Sequence, residues 1–130
     1  MKTTASLFAA AAIALFGIGA AQAQTAQQMN ISLTSYAFAP DTLTLKTGTA
    51  YRLHLTNDAS KGHNFSAPAF FGAATIASQD QAKVKDGAVE VDEGQSVDVT
   101  VTPIKPGTYP LTCTHFLHET FGMKGQIVVQ

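Results

Sequence analysis

Short runs of alternating apolar and polar residues are the feature that most restricts the fold of this chain. The runs recur from residue 29 to residue 129 and are separated by glycine, proline, asparagine and aspartate. In Ile31-Ser32-Leu33-Thr34, for example, every second side chain is apolar. A period of two places the apolar side chains on one face of a β-strand. The sequence therefore predicts a series of short, half-buried strands.

The number of these runs predicts the fold class. About seven strands without an internal repeat indicate an all-β protein, a two-sheet β-sandwich with Greek-key connections. Residues 66–86 interrupt the alternation, and we expect one short helical or irregular insertion there, with a helix between Ala73 and Lys83. Stacking the two sheets would bury the apolar faces of the strands. The residues expected in this core are Ile31, Leu33, Leu53, Leu55, Val97, Val99, Val101, Leu111, Ile127 and Val129.

Residues 1–23 have the pattern of a secretory signal peptide. Lys2 gives a positive start, residues 7–21 are apolar and small, and Ala21-Gln22-Ala23 is a typical cleavage signal. A membrane anchor is the alternative, but the apolar run is short for a span and no stop-transfer charges follow it. We therefore expect cleavage after Ala23, export to the periplasm, one mature domain over residues 24–130, and no membrane span after cleavage.

The charge of the chain narrows the class of partner. The formal net charge is −1 at pH 7, and the sequence contains no basic run or stripe. This argues against nucleic acid as a partner and leaves a protein partner open. The length suits a single domain that buries its core without disulfides, and we expect a monomer.

The single cysteine, Cys113, cannot form an internal disulfide. In an exported protein a free thiol is a liability unless something occupies it, although a buried inert cysteine is the alternative. His115, His118 and Met123 follow Cys113 within ten residues. Sulfur and imidazole donors in one loop suit copper. The loop from Cys113 to Met123 is therefore a candidate metal-binding segment.

A copper site of the electron-transfer kind needs two imidazoles, one thiolate and a weak axial thioether. The loop supplies all but one imidazole, and His63 is the natural candidate for the remaining ligand. The loop that contains it follows an early strand, and loops after an early and a late strand can meet at one end of a sandwich. His54, in contrast, lies at an outward position of a strand, where a solvated side chain is the more frequent outcome.

Three stretches of the mature chain carry a family resemblance. Residues 36–49 are similar to a pair of opening strands, Gly62-His63-Asn64-Phe65 to a first-ligand segment, and residues 106–129 to a closing ligand loop with its last strand. In these stretches the chain resembles the cupredoxins, or type 1 (blue) copper proteins. Four residues separate Cys113 from His118 and another four separate His118 from Met123, a spacing similar to that of the auracyanin and rusticyanin branch.

The resemblance implies a cupredoxin-like fold and one copper ion in a mononuclear site. His63 and His118 would bind through imidazole nitrogen, Cys113 through its thiolate, and Met123 as a long axial ligand. We also expect the Asn64 amide to donate to the Cys113 sulfur, and the Asn64 side chain to tie the two loops together. Phe38 and Phe65 are expected to exclude water from the site.

One part of the ligand loop departs from the family. Many relatives have a Pro-Gly turn just before the second histidine, whereas this chain has Phe116-Leu117, with an added imidazole at His115. His115 could displace His118, bind a second copper ion or lie at the surface. We expect it in solvent or beside the ligands rather than on the metal. Phe116, Leu117 and Phe121 are expected to form an apolar rim next to His118, where a partner would dock.

Three functions are compatible with these residues. The leading hypothesis is a periplasmic protein of one-electron transfer that docks a redox protein at the His118 edge. The alternative is periplasmic copper sequestration or tolerance together with a copper-handling protein, motivated by His115 and the altered loop. An enzyme with Cys113 as nucleophile leaves His63 and Met123 unexplained, and four histidines are too few for an added multinuclear oxidase centre. We therefore do not expect an enzyme.

Overall fold

The computed structural model describes residues 11–14, 17, 25–118 and 120–130. Most of the predicted signal peptide and its cleavage site lie outside these residues, so the leader, the boundary of the mature domain and the periplasmic location remain predictions. No helix in the described part of the chain is both long and apolar enough to cross a membrane.

Ten strands form two five-stranded sheets within the described residues. In chain order they are β1 (Gln27–Thr34), β2 (Ala37–Ala39), β3 (Thr42–Leu45), β4 (Tyr51–Asn57), β5 (His63–Ser66), β6 (Ala74–Ile76), β7 (Ala88–Val91), β8 (Ser96–Pro103), β9 (Gly107–Thr112) and β10 (Lys124–Val129). The strand orders are β2-β1-β4-β8-β6 and β3-β10-β9-β5-β7. From β3 to β9 the chain alternates between the sheets, and the predicted all-β sandwich with Greek-key connections is confirmed.

The predicted core lies between the two sheets. Of the ten core positions, Val97 alone is half-buried, and the other nine are buried. The pairing of β4 with β8 places Leu53 opposite Val99 and Tyr51 opposite Val101. A register shift of one residue would turn these side chains out to solvent, so their burial fixes the register of the sheet.

Two predicted aromatic residues lie in this core below the ligand segments. Phe38 is 4% exposed and Phe65 is fully buried. Their rings meet edge to face, with centroids 6.0 Å apart. Phe65 also packs edge to face against Phe71. Apolar rings therefore fill the core next to β5, the strand that begins at His63. This arrangement supports the expectation that the two residues keep water out.

The short insertion is confirmed, and the helix expected between Ala73 and Lys83 is present only in the second half of that range, as a 3₁₀-helix. The structure has a short α-helix, α1 (Pro68–Gly72), then β6, and then a 3₁₀-helix at Ser78–Lys83. Proline is favoured at the first position of a helix, because its missing N–H has no partner there in any case. β6 becomes an edge strand because Ala74 and Ile76 pair with Pro103 and Val101 of β8. Tertiary pairing thus overrides the local preference for helix.

Candidate metal centre

Two segments at one end of the sandwich carry the predicted ligands. His63 is the first residue of β5, and Cys113 directly follows β9. These strands lie side by side in one sheet and pair where Ser66 faces Thr112. The loop of residues 113–123 then connects β9 to its antiparallel neighbour β10. The sheet therefore brings His63 to the loop that contains the other donors.

Donor atoms of three buried residues form a compact triangle. The Nδ1 atoms of His63 and His118 are 3.0 Å apart. The Sγ atom of Cys113 lies 3.4 Å from Nδ1 of His118 and 3.8 Å from Nδ1 of His63. The point equidistant from the three atoms is about 2 Å from each, close to the usual lengths of bonds from a first-row metal ion to imidazole or thiolate. The donor set therefore fits one metal ion in a trigonal plane, the arrangement typical of blue copper sites.

Met123 is held next to this triangle by the backbone. The Cys113 amide donates to the Met123 carbonyl over 3.1 Å, and the Met123 amide donates to the His118 carbonyl over 3.0 Å. Met123 is fully buried in the same core cluster as Cys113. The structure thus brings together all four residues that the sequence singled out. Within the described residues, His63, Cys113 and His118 are the one group of three or more His, Cys, Asp or Glu donors close enough for an ion.

Burial favours the neutral forms of both imidazoles. It lowers the pKa of His63, and the nearby His118 and His115 lower it further. Burial also lowers the pKa of His118, with smaller contributions from His115 and Lys61. A metal ion binds the neutral form of imidazole. Both rings are therefore in the ligand-competent state at neutral pH without loss of a proton.

The Cys113 thiol is subject to opposing effects. Burial raises its pKa most strongly, and the charge of Glu90 raises it further. The backbone amides of Asn64 and His115 donate to the sulfur and oppose this rise. This effect supports the predicted donation from the Asn64 amide to the Cys113 sulfur. A metal ion that binds here must displace the thiol proton, so binding is coupled to proton release.

The turn before His118 has a left-handed residue at its third position. The His118 amide donates to the His115 carbonyl over 3.0 Å and closes a four-residue turn. Leu117 has a φ of 63°, a region in which a side chain with Cβ is strained. Phe116 and Leu117 thus occupy the two central positions of the turn. The turn remains although these two residues do not favour it.

His115 lies beside the donor triangle and outside it. Its Nε2 atom is 2.7 Å from Oε1 of Glu90 on β7. Its ring is stacked on that of His118, with centroids 5.5 Å apart and an interplanar angle of 18°. The Glu90 contact could not be predicted, because Glu90 occupies an outward position of its strand and the pairing of β7 with β5 is not visible in the sequence. His54 is half-buried on β4, where it contacts Asp98 at 2.6 Å.

Three exposed apolar side chains lie within three residues of His118 in the chain. Phe116 is 87% exposed, Phe121 58% and Leu117 45%. Tyr36 was not predicted to lie here. Its ring meets His118 edge to face, with centroids 5.2 Å apart, and its centroid lies 5.0 Å from that of Phe121. The apolar rim is the predicted set of Phe116, Leu117 and Phe121, and Tyr36 adjoins it at Phe121. His118, at 9% exposure, is the outermost of the four candidate ligands.

The chain matches the family of the cupredoxin-like domain over residues 7–129. Among solved structures, auracyanin B is similar at 28% identity and a TM-score of 0.61, covering 81% of this chain and 89% of that one. Na-dithionite reduced auracyanin from the photosynthetic bacterium Roseiflexus castenholzii is 22% identical with a TM-score of 0.60, covering 81% of this chain and 98% of that one.

A larger protein shares the fold. The McoA multicopper oxidase from the hyperthermophile Aquifex aeolicus is 17% identical with a TM-score of 0.63, over 81% of this chain and 29% of that one. None of the curated proteins compared with the chain matches it significantly. The family match and the geometry of the donor set agree with each other. The chain belongs to the cupredoxin-like domain family, and its cofactor is a single copper ion.

Proposed function

We propose that this protein is a periplasmic one-electron carrier with a mononuclear type 1 copper site. In this proposal His63 and His118 bind copper through Nδ1, Cys113 binds through its thiolate, and Met123 is the axial ligand. The triangle of two Nδ1 atoms and one Sγ atom, with sides of 3.0, 3.4 and 3.8 Å, is the observation that carries it.

The surroundings of the site support fast electron exchange. Bound copper would supply a one-electron couple between Cu(I) and Cu(II), and a trigonal set of two imidazoles and a thiolate suits both states tolerably. The ligands are buried. Backbone hydrogen bonds join Cys113 to Met123 and Met123 to His118. Such ligands move little when the charge of the site changes. His118 lies between the buried donors and the apolar rim, which makes its ring the shortest route for an electron to a partner.

The apolar rim supports a protein partner. Phe116 and Phe121 are more than half exposed next to His118, and an exposed apolar cluster of this kind is typical of an interaction site. We propose that a redox protein docks here and that the carrier itself is a monomer. Phe116→Ser with Phe121→Ser should lower the second-order rate of electron exchange with the partner. Ile104→Ser is the matched control, because Ile104 is 60% exposed but lies at the opposite end of β9.

A carrier rather than an enzyme is the function that these residues support best. Two of the four histidines belong to the donor triangle. The other two contact carboxylates, His54 at Asp98 and His115 at Glu90. The cysteine is in the triangle and is accounted for as a ligand. The chain therefore offers a single copper centre and no separate constellation for acyl transfer or oxygen reduction within its described residues.

Copper loading of the mature chain tests the proposal. We expect an intense visible thiolate-to-copper absorption band and reversible one-electron reduction. Cys113→Ser should abolish the band and weaken binding, whereas His54→Ala, the control for loss of one histidine, should leave both unchanged. A colourless complex whose affinity is the same in Cys113→Ser would overturn the proposal. For the location, the protein from a periplasmic fraction should begin at Gln24 on N-terminal sequencing.

Copper sequestration is the second candidate. The observation that favours it is the exposed imidazole of His115 beside the site, with a side chain 32% exposed, in a loop without the Pro-Gly pair. Sequestration predicts that deletion of the gene lowers growth under copper stress. Electron transfer predicts unchanged tolerance and a loss of electron flow to or from the partner. Colour alone does not separate the two candidates, because a storage site with the same ligands is also coloured.

A further inference from the structure

The turn that positions His118 has an energetic cost. Closed by the bond from the His118 amide to the His115 carbonyl, it has Leu117 at the third position with a φ of 63°. A turn with positive φ only at its third residue is of type II, which favours proline second and glycine third. A left-handed backbone costs a residue with Cβ about 1–2 kcal/mol. Phe116 and Leu117 do not stabilise this turn by themselves, so its support must come from other contacts.

Glu90 provides a tether for the first residue of the turn. Its Oε1 atom is 2.7 Å from Nε2 of His115. Glu90 is on β7 opposite Asn64 of β5, one residue along from the pair that contains His63. A Cβ on Gly62 would lie 3.4 Å from both Glu90 Oε1 and His115 Cε1, so the backbone at Gly62 packs against the pair. The tether thus connects the turn to the strands that hold the first ligand.

His115 transmits this restraint to His118 in two ways. Its carbonyl accepts the hydrogen bond that closes the turn, and its ring is stacked nearly parallel on the His118 ring. On another side, the ring of Tyr36 meets His118 edge to face. Rotation of the His118 ring would break the stacked contact while His115 is held by Glu90. The orientation of His118 therefore depends on a carboxylate that, among the described residues, forms its side-chain hydrogen bond with His115 and not with a member of the donor triangle.

We propose that Glu90 is a positioning residue of the copper centre, which acts through His115 to fix the turn and the ring of His118 in place of a Pro-Gly pair. The inference rests on the proposed role of His118 as a ligand. Loss of a residue that orients a metal ligand typically changes metal affinity about 10–100-fold. Glu90 should have such an effect although its side chain is 52% exposed.

Copper-loaded variants test the inference. Glu90→Ala should shift the visible and electron paramagnetic resonance spectra and speed copper release to a chelator about tenfold. Glu90→Gln keeps an oxygen that accepts from His115, and we expect it to stay near the wild type. Glu93→Ala removes a neighbouring exposed carboxylate as the matched control and should have no effect. In a Phe116→Pro, Leu117→Gly background the turn is favoured by its own residues, so Glu90→Ala should have a much smaller effect.

A readout without copper separates this inference from the proposed function. In the metal-free protein, Glu90→Ala should speed hydrogen exchange of the His118 amide about tenfold, because the turn opens more often. The Leu111 amide on β9 should be unaffected. If Glu90→Ala lowers the unfolding midpoint but leaves the spectra, the release rate and the His118 exchange unchanged, the inference is wrong. A colourless wild-type complex would contradict the proposed function, while the exchange experiment would still test the tether.

Discussion

Asn64 and Thr114 form a reciprocal pair of hydrogen bonds that joins the two ligand-bearing segments. Nδ2 of Asn64 donates to Oγ1 of Thr114 over 2.7 Å, and the Thr114 amide donates to Oδ1 of Asn64 over 2.9 Å. Each of these residues directly follows a ligand in the chain, Asn64 after His63 and Thr114 after Cys113. The Asn64 side chain thus adds a direct link between the two segments to the pairing of β5 with β9.

Asn64→Ala should weaken both the fold and the copper site. It leaves the Thr114 amide without its partner, and we expect the free energy of unfolding to fall by about 1–3 kcal/mol. Copper release should be about tenfold faster, because His63 and Cys113 are no longer held at a fixed separation. Urea denaturation of the metal-free protein and transfer of copper to a chelator measure the two effects. Asn30→Ala is the control, at an exposed asparagine whose side chain accepts a hydrogen bond from the Gln28 side chain.

Leu117→Gly should stabilise the metal-free protein. Glycine adopts positive φ without strain, which recovers about 1–2 kcal/mol, but it loses about 0.5–1 kcal/mol of entropy on folding. We therefore expect the free energy of unfolding to rise by about 0.5–1 kcal/mol. Phe116→Gly is the matched control, since Phe116 does not have positive φ, and it should lower stability instead. Equal destabilisation by both variants would show that the left-handed backbone at Leu117 is not strained.

The longer strands and their buried faces could be predicted from the sequence, because alternation reports directly on which side of a sheet each residue faces. The three-residue strands β2 and β6 could not. They are too short to show a period, and they exist because β1 and β8 offer an unpaired edge to Ala37–Ala39 and Ala74–Ile76. The part of the expected helix that is instead β6 was missed for the same reason. The local sequence pattern alone does not show which strand a short segment will pair with.

The candidate ligands could be predicted for a chemical reason. Thiolate, imidazole and thioether at fixed spacing have few other uses, so Cys113, His118 and Met123 stood out without any structure. Of the residues that support them, Asn64 was predicted from its place beside His63, and its bonds to Thr114 confirm the link between the two loops. Glu90 and Tyr36 were not predicted. Glu90 contacts His115 because β7 pairs with β5. Tyr36 packs on His118 because the turn after β1 lies beside the ligand loop. An acid on an outward face and an aromatic in a turn carry no such chemical signature.

Gly125→Ala should destabilise the fold strongly. Gly125 is the second residue of β10, and a Cβ there would overlap the backbone carbonyl of Asp41. Because Asp41 O accepts the Gln126 amide, the backbone on that side cannot move away without losing this hydrogen bond. We expect the free energy of unfolding to fall by about 2–3 kcal/mol, the scale of overpacking in a tight site. Thermal denaturation measures this change. Gly72→Ala is the control and should be close to neutral, because a Cβ at Gly72 would meet nothing within 4 Å.

Asp80 should make stability depend on pH in the acid range. Burial would raise the pKa of its carboxyl, but the hydrogen bonds from Lys83 Nζ at 2.7 Å and the Thr100 amide at 2.8 Å outweigh it, and the pKa lies below the ordinary value. The unfolded chain then takes up the proton first as the pH falls. The contribution of Asp80 is complete above about pH 4 and is lost at up to about 1.4 kcal/mol per pH unit as the pH falls toward the pKa of the folded state.

Asp80→Asn isolates this contribution, because asparagine does not titrate. At pH 7 the variant should be less stable by about 1–3 kcal/mol, having lost charge-assisted bonds to Lys83 and the Thr100 amide. The difference from the wild type should shrink as the pH is lowered from 4 toward 2, measured by urea denaturation of the metal-free protein. Asp92→Asn removes an exposed carboxylate and controls for the change in net charge. A difference between wild type and Asp80→Asn that stays constant across this range would mean that Asp80 has the same pKa in the folded and unfolded chains.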